Sequence, residues 1–125
     1  MPLSKYERNN LPKAWRNEAP TKAAGLFVQL HVGDPGDDCT ANVAKESKRK
    51  PIALSAIEEG SVTNTGVLEW EGVTATEKVT HVSVWDAEKE GNPRIYGVVT
   101  VEGGVQLTKE QDARIKAGKL KFSLV

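Results

Sequence analysis

Few residues of this chain have types and spacing that suit catalysis. Its two histidines, His31 and His81, both lie in stretches with the alternation of a β-strand. Ser83 follows His81 by two positions and shares its strand face, whereas Asp86 is five positions on and points to the opposite face. The sequence also lacks the G-x-S-x-G turn that presents a nucleophile. We therefore expect satisfied histidines in a sheet and not a Ser-His-Asp triad.

Two carboxylates on one strand are the next candidates for chemistry. Glu69 and Glu71 flank Trp70 and stand roughly 6.5–7 Å apart on one strand face. That separation overlaps the one that inverting glycosidases use. Both side chains would nevertheless lie side by side on a single strand and not across a cleft, so a solvated strand face explains them better.

No stretch of the sequence has the spacing of a metal or cofactor site. The acidic segment GDPGDD at 33–38 lacks the ligand alternation and the distal Glu of a calcium hand, and turn chemistry accounts for its composition. The single cysteine, Cys39, has no His or Cys nearby with which to bind zinc. We expect a chain that is not an enzyme, with no catalytic, cofactor-binding or metal-binding residues.

Length and charge narrow the class of protein further. The 125 residues, 38% of them hydrophobic, suit one compact domain. Seventeen Lys and Arg balance seventeen Asp and Glu, without the basic excess typical of a nucleic-acid binder. The N-terminal segment is too polar for a secretory leader, and no apolar run approaches the ~20 residues that span a bilayer. We expect no nucleic-acid partner and no membrane partner.

Residues 1–24 are predicted to form a helical or extended arm. Ser4 and Glu7 have the spacing of a capping box, and Pro12 suits the first turn of a second short helix. The apolar residues of the arm fall at spacings that can share one face: Leu3, Tyr6, Leu11 and Trp15. Such a short charged arm needs a docking surface, either on its own domain or on a neighbouring subunit.

Residues 25–125 are predicted to form a β domain. Apolar residues alternate in 26–32 and 120–124, and β-branched residues are dense in 79–85 and 95–101. We expect a mainly β fold, an antiparallel β-sandwich or barrel-like domain, with the short N-terminal helical arm. The segment 108–117 can be read as a helix, but a strand at 113–116 that makes a hairpin with the last strand is favoured.

A basic cluster and the tryptophans are the candidate contact residues. The polar loop 39–50 ends in lysines and an arginine, which suit either a solvated loop or contact with an acidic protein surface. Trp85 is assigned to the core and Trp70 to the core or an interface. The predicted partner-binding residues are Tyr6, Leu11, Trp15, Lys45, Lys48, Arg49 and Lys50.

Several stretches resemble one known family. LFVQLHVGDPG at 26–36 resembles the L-x-L-H-x-G-D-P-G opening of a family of small tailed-phage virion proteins, and its Thr-Ala-Asn follows at 40–42. VTHVSVWDA at 79–87 is similar to the x-T-H-V-G-L-W-D-A strand of that family. Gly91-Asn92, Tyr96-Gly97 and the segment 117–120 come in the same order.

The resemblance implies a structural virion protein without catalytic residues. We expect a capsid decoration (minor capsid) protein on the outer head shell of a tailed phage, with residues 1–20 and 33–50 contacting capsid subunits. The alternatives are a tail- or fibre-associated structural protein, and a glycan-binding module that uses Trp70 or Trp85. The expected partners are the major capsid protein or further copies of the chain, in a virion assembled in the host cytoplasm, where the chain would be oligomeric.

Overall fold

The computed structural model describes residues 3–99 and 104–123. An α-helix, α1, spans Lys5–Asn10, and a 3₁₀ helix follows over Leu11–Arg16. Ten strands are present in the described residues: β1 Phe27–His31, β2 Lys50–Pro51, β3 Ser61–Thr63, β4 Leu68–Trp70, β5 Glu77–Val79, β6 His81–Trp85, β7 Pro93–Val98, β8 Val105–Leu107, β9 Ala113–Ile115 and β10 Lys121–Ser123. All their pairings are antiparallel, so the predicted mainly β fold with a short helical arm is confirmed.

Parts of three sequence-based predictions lie outside the described residues. They are residues 1–2 of the arm, 100–101 of the strand at 95–101, and 124 of the last strand. Within the described part of the chain, no helix is long and apolar enough to cross a membrane.

The central sheet has four strands in the order β2-β1-β6-β7. In the β1–β6 ladder Val28 lies opposite Val84 and Leu30 opposite Val82, so the four side chains share one face. All four are at most 1% exposed. This face forms one wall of the hydrophobic core.

Three two-stranded pairs complete the core: β3 with β10, β4 with β9, and β5 with β8. Their inward side chains join the same buried cluster, and the larger ones are Trp70, Leu107, Ile115 and Phe122, with Leu120 just before β10. Each strand is only three residues long. The stability of these strand pairs therefore depends on the core that they share and not on the hydrogen bonds within each pair.

The predicted strand at 113–116 is present as β9, but the predicted hairpin with the last strand is wrong. Buried Asn64 explains the difference, because it holds the chain on both sides of the turn after β9. Its Nδ2 donates to the Lys116 carbonyl at 3.0 Å, and its Oδ1 accepts from the Leu120 N–H at 2.9 Å. The chain therefore leaves β9, which pairs with β4, and enters β10 beside β3.

The second face of the central sheet is buried as well, although the alternation in 26–32 predicts a single buried face. Gln29 is 8% exposed and His31 is fully buried. The loop at 33–42 accounts for this, because it folds back so that the Ala41 carbonyl lies 2.9 Å from Nδ1 of His31. Cys39 in this loop is also fully buried. Gln29 and His31 are therefore covered by this loop, whereas the sequence pattern predicts that this face of the strand is exposed to solvent.

The arm packs against its own domain through α1 and β7. Ser4 caps α1, since its Oγ accepts the Glu7 N–H at 3.1 Å, and Pro12 lies in the first turn of the 3₁₀ helix as predicted. The Ser4 N–H donates to the Arg94 carbonyl at 3.0 Å, while Leu3 pairs with Ile95. The arm therefore extends the edge of the central sheet.

Candidate interaction site

A buried ion-pair cluster fixes the arm to the central sheet. Arg94 of β7 is 5% exposed, and its Nη1 lies 3.2 Å from both carboxylate oxygens of Glu7 in α1. Its Nη2 lies 3.1 Å from Oδ2 of Asp86, which follows β6. Burial lowers the pKa of Arg94, but the hydrogen bonds to Asp86 and Glu7 outweigh burial and raise the pKa above its ordinary value. The cluster joins α1 to the β6–β7 hairpin, which lies 87 positions further along the chain at Arg94.

The same cluster holds the far end of the arm. Arg94 Nη1 donates to the Thr21 carbonyl at 2.9 Å, and Nδ2 of Asn10 donates to that carbonyl at 3.0 Å. The Thr21 N–H donates back to Oδ1 of Asn10 at 2.8 Å. Residues 11–20 therefore form a loop that is tied at both of its ends.

The exposed part of this loop is the Trp15 turn, defined here as residues 13–18. Trp15 is 85% exposed, in contrast to Trp70 at 1% and Trp85 at 8%. Asn17 ends the 3₁₀ helix in the left-handed region, and the Glu18 N–H donates to the Lys13 carbonyl at 2.9 Å. The turn thus presents an indole from a backbone that is fixed by hydrogen bonds.

The other two predicted arm residues face their own domain. The Tyr6 ring lies 4.9 Å from the guanidinium carbon of Arg94, and Leu11 lines a groove with Leu26 and Pro20. The predicted common face with Trp15 is therefore wrong. The helix changes from the α to the 3₁₀ form after residue 10, and the period shortens from 3.6 to about 3.0 residues per turn.

Arg49, predicted as part of a basic contact patch, braces the fold instead. Its guanidinium carbon lies 4.0 Å from the centroid of the Trp85 ring. Its Nη1 donates to the carbonyls of Ala87 at 2.9 Å and Glu90 at 2.6 Å. This side chain holds the turn between β6 and β7 and covers one face of the Trp85 ring.

The three lysines of the predicted basic patch differ in their surroundings. Lys48 and Lys50 line a surface cleft with Lys89, and the Lys48 carbonyl accepts from the Trp70 indole at 2.9 Å. Lys45 is exposed, and its backbone N–H donates to the Glu77 carboxylate at 3.0 Å. Among the contacts described for residues 3–99 and 104–123, none links these lysines to the Trp15 turn.

An apolar groove of about 200 Å³ lies at the other end of the arm. The side chains around it belong to the arm, to β3, β7 and β10, and to the turn before β3: Leu3, Ile57, Val62, Ile95 and Phe122. Ile57 is 80% exposed. Beside it, Glu58 and Ser61 exchange two backbone hydrogen bonds of 2.9 Å around the tight turn at Glu59-Gly60.

The family of the chain follows from a comparison with known proteins. A family model described as "Podophage GP4 fiber I protein gp80" matches residues 2–123. The chain belongs to this fibre family. No curated protein matches it.

Membership in the fibre family makes the chain a phage structural protein of the fibre type, associated with the virion. The expected tailed-phage virion family is thereby supported in its general form, while the individual motifs quoted for it stay predictions. The match favours the alternative expectation, a tail- or fibre-associated protein, over capsid decoration.

His31 and Ser83 of this fibre-family protein form a closed internal network with Trp85, while His81 is half-buried and its Nδ1 lies 2.8 Å from Oγ1 of Thr80. Nδ1 of His31 lies 2.9 Å from the Ala41 carbonyl, so it must carry the proton, and Nε2 accepts from Ser83 at 2.7 Å. Ser83 Oγ in turn accepts from the Trp85 indole at 2.8 Å. Burial lowers the pKa of His31, which favours the neutral ring. All three side chains of the network are buried, and the network holds the sheet and the loop together.

The other residues considered for catalysis or metal binding either bond to groups within the protein or are exposed to solvent. Glu69 pairs with Arg114 across the β4–β9 ladder, and Glu71 is exposed. Burial raises the pKa of the Cys39 thiol to about 12, which keeps it protonated. In the part of the chain that the structure describes, no group of three or more His, Cys, Asp or Glu side chains is placed to hold a metal ion.

Glycan binding through Trp70 or Trp85 conflicts with the structure, because both indoles are buried and donate to internal acceptors. The core assignment of Trp85 is confirmed, and Trp70 also lies in the core. Trp15 is the exposed tryptophan of the three.

Sequence reasoning missed the residues that position the Trp15 turn. Arg94, Glu7 and Asn10 sit among polar residues, or next to a turn, where a charged side chain is ordinary. One signal was available for Arg94, since it directly precedes the apolar residues of a predicted strand. Nothing local in the sequence connects it with Glu7, because the two are 87 positions apart.

Proposed function

We propose that this protein is a tail- or fibre-associated structural component of a podophage virion. The match of the fibre-family model to residues 2–123 carries this proposal. The structure supports it with a small β domain whose buried polar groups bond to one another and from which Trp15 projects into solvent. In this function the chain acts by adhering to other virion proteins in a particle assembled in the host cytoplasm.

The Trp15 turn is the attachment point in this proposal. Tryptophan and arginine are enriched among the residues that dominate binding energy at protein interfaces. Trp15 is 85% exposed and is followed directly by Arg16. Because the loop is tied at Asn10 and Thr21, little conformational entropy is lost when a partner covers the turn.

The predicted contact with an acidic protein surface is carried by Lys48, Lys50 and Lys89 in this proposal. These side chains line one cleft together with Glu88 and Arg49, and Arg49 also bonds to the neighbouring carbonyls and stacks on Trp85. Exposed charges of this kind guide association and orientation more than they add affinity. The cleft lined by these lysines therefore orients the partner, while the Trp15 turn contributes most of the binding affinity.

The experiment that tests the proposed function locates the protein in purified particles. We expect a gold-labelled or density-tagged chain at the tail or its fibres, with a copy number that is a multiple of three or six. A signal distributed over the head shell in hundreds of copies would contradict the proposal and restore capsid decoration. Absence of the chain from purified particles would contradict any structural virion role.

A further inference from the structure

Two surface features of the chain are complementary in shape. The Trp15 turn presents a large apolar side chain that is 85% exposed. The apolar groove bounded by Leu3, Ile57 and Phe122 offers about 200 Å³ of largely apolar space. An apolar cavity of about 150 Å³ holds a benzene molecule, so the groove has room for most of an indole ring.

The two features are also complementary in charge. Lys13 and Arg16 flank Trp15, and Arg16 is 79% exposed on its side chain with Glu18 3.5 Å away. Glu58 and Glu59, both exposed at the tight turn before β3, line a polar cleft that adjoins the groove and shares Val62 and Ser123 with it. We call this adjoining cleft the rim of the groove. Lys121 on β10 adds one positive charge nearby, and the rim keeps an excess of negative charge.

We propose that the Trp15 turn of one copy docks into the apolar groove of a second copy of this chain. The inference rests on the proposed function, since it names the partner of the attachment point. Trp15 is exposed and so does not occupy the groove of its own copy. Lys13 and Arg16 of the first copy then meet Glu58 and Glu59 of the second.

The contact is heterologous, because a different surface of each copy takes part. Each copy keeps one free turn and one free groove, so the assembly closes into a ring or grows into a filament. A repeating contact of this kind tolerates a modest affinity at each site, since neighbouring contacts raise the effective concentration.

The first experiment compares self-association of variants by sedimentation velocity over a range of concentrations. We expect the wild-type chain to associate with rising concentration and Trp15→Ala to raise the apparent Kd by roughly 30-fold. Ile57→Ala, in the groove, should weaken association in the same direction. Val67→Ala is the matched control, because Val67 is 59% exposed and does not line the groove, and it should associate like the wild type.

The second experiment exchanges the charges and does not depend on any loss of apolar surface. Lys13→Glu with Arg16→Glu places negative charges on the turn, and Glu58→Lys with Glu59→Lys places positive charges on the rim. Each double variant alone should be monomeric because like charges meet. An equimolar mixture should associate, since every turn in it can find a groove of opposite charge.

Three results would overturn the inference: a wild-type chain that stays monomeric at several hundred micromolar, a Trp15→Ala variant that associates like the wild type, or a mixture of the double variants that stays monomeric. The proposed function is decided separately by the position of the chain in the particle. A wild-type monomer that still locates to the fibres would therefore end this inference and leave that function standing.

Discussion

At the scale of single residues, buried polar side chains in the described part of the chain bond to one another and hold the elements of the fold together. His31 illustrates this, because both of its ring nitrogens are hydrogen-bonded, Nδ1 to the Ala41 carbonyl and Nε2 to the Ser83 hydroxyl. Placing a second proton on the ring requires Ser83 to give up its donor role, while the Trp85 indole still donates to the same oxygen. The network therefore favours the neutral ring and makes the fold sensitive to acid.

The stability of the fold should fall as the pH drops below about 6.5. Burial lowers the folded-state pKa of His31, so the unfolded chain binds more protons in the range between that pKa and the ordinary value of about 6.5. The contribution of His31 is present above pH 6.5 and is lost as the pH falls through this range. Urea unfolding at several pH values measures it. In His31→Gln this part of the pH dependence should disappear, and parallel curves for the two proteins would contradict the assignment.

Arg49 provides the second prediction at this scale. Arg49→Lys keeps the charge but loses the planar stack on Trp85 and the geometry that reaches the Ala87 and Glu90 carbonyls. We expect a loss of about 1–2 kcal/mol in the free energy of unfolding. Lys48→Ala, at the exposed neighbour, is the control and should stay within about 0.5 kcal/mol of the wild type. Equal effects of the two changes would show that Arg49 is an ordinary surface residue.

At the scale of elements, α1 owes its position to one buried carboxylate. Glu7 of α1 bonds to Arg94 and Asn10 in the interior. The next residue, Arg8, pairs with Asp37 at 2.6 Å on the surface, with side chains about half exposed. Two adjacent residues of a six-residue helix thus make ion pairs that differ mainly in burial.

The two ion pairs of α1 should differ several-fold in their effect on stability. Glu7→Ala leaves buried Arg94 with Asp86 as its remaining carboxylate, and we expect a loss of about 3 kcal/mol. Arg8→Ala removes an exposed pair and should cost less than about 1 kcal/mol. Chemical denaturation followed by tryptophan fluorescence measures both. A Glu7→Ala loss as small as that of Arg8→Ala would show that the cluster does not hold the arm.

The elements that local patterns determine were predictable from the sequence. Ser4, Glu7 and Pro12 mark the helix starts because capping and proline geometry involve only near neighbours. The pairing of β9 with β4 was not predictable, because it depends on Asn64, which lies 52 residues from Lys116. The bracing role of Arg49, a predicted partner-binding residue, was not predictable for the same reason, since Trp85 is remote from it in sequence.

At the scale of the whole molecule, the arm and the sheet form a single unit while the Trp15 turn extends from it. Hydrogen bonds tie residues 3–10 to β7 and to the loop after β1, as in the bond from the Lys5 N–H to the Asp37 carbonyl at 2.9 Å. Within residues 3–99 and 104–123, the bonds of the Trp15 turn are those of its own backbone and the exposed pair of Arg16 with Glu18. A rigid domain that carries an exposed turn suits a protein that adheres to its partners.

Native-state hydrogen exchange should separate these two parts of the chain. The amides of Arg8 and Leu11, which donate to Ser4 and Glu7, should exchange with the same free energy of opening as Val84 in the central sheet. The amide of Asn17, which donates to Ala14 at 3.2 Å, should exchange through a smaller opening that urea barely affects. In Glu7→Ala the amides of Arg8 and Leu11 should lose protection before Val84 does. If they already exchange much faster than Val84 in the wild-type chain, the arm opens independently of the sheet, and the rigid support that the Trp15 turn needs for docking is absent.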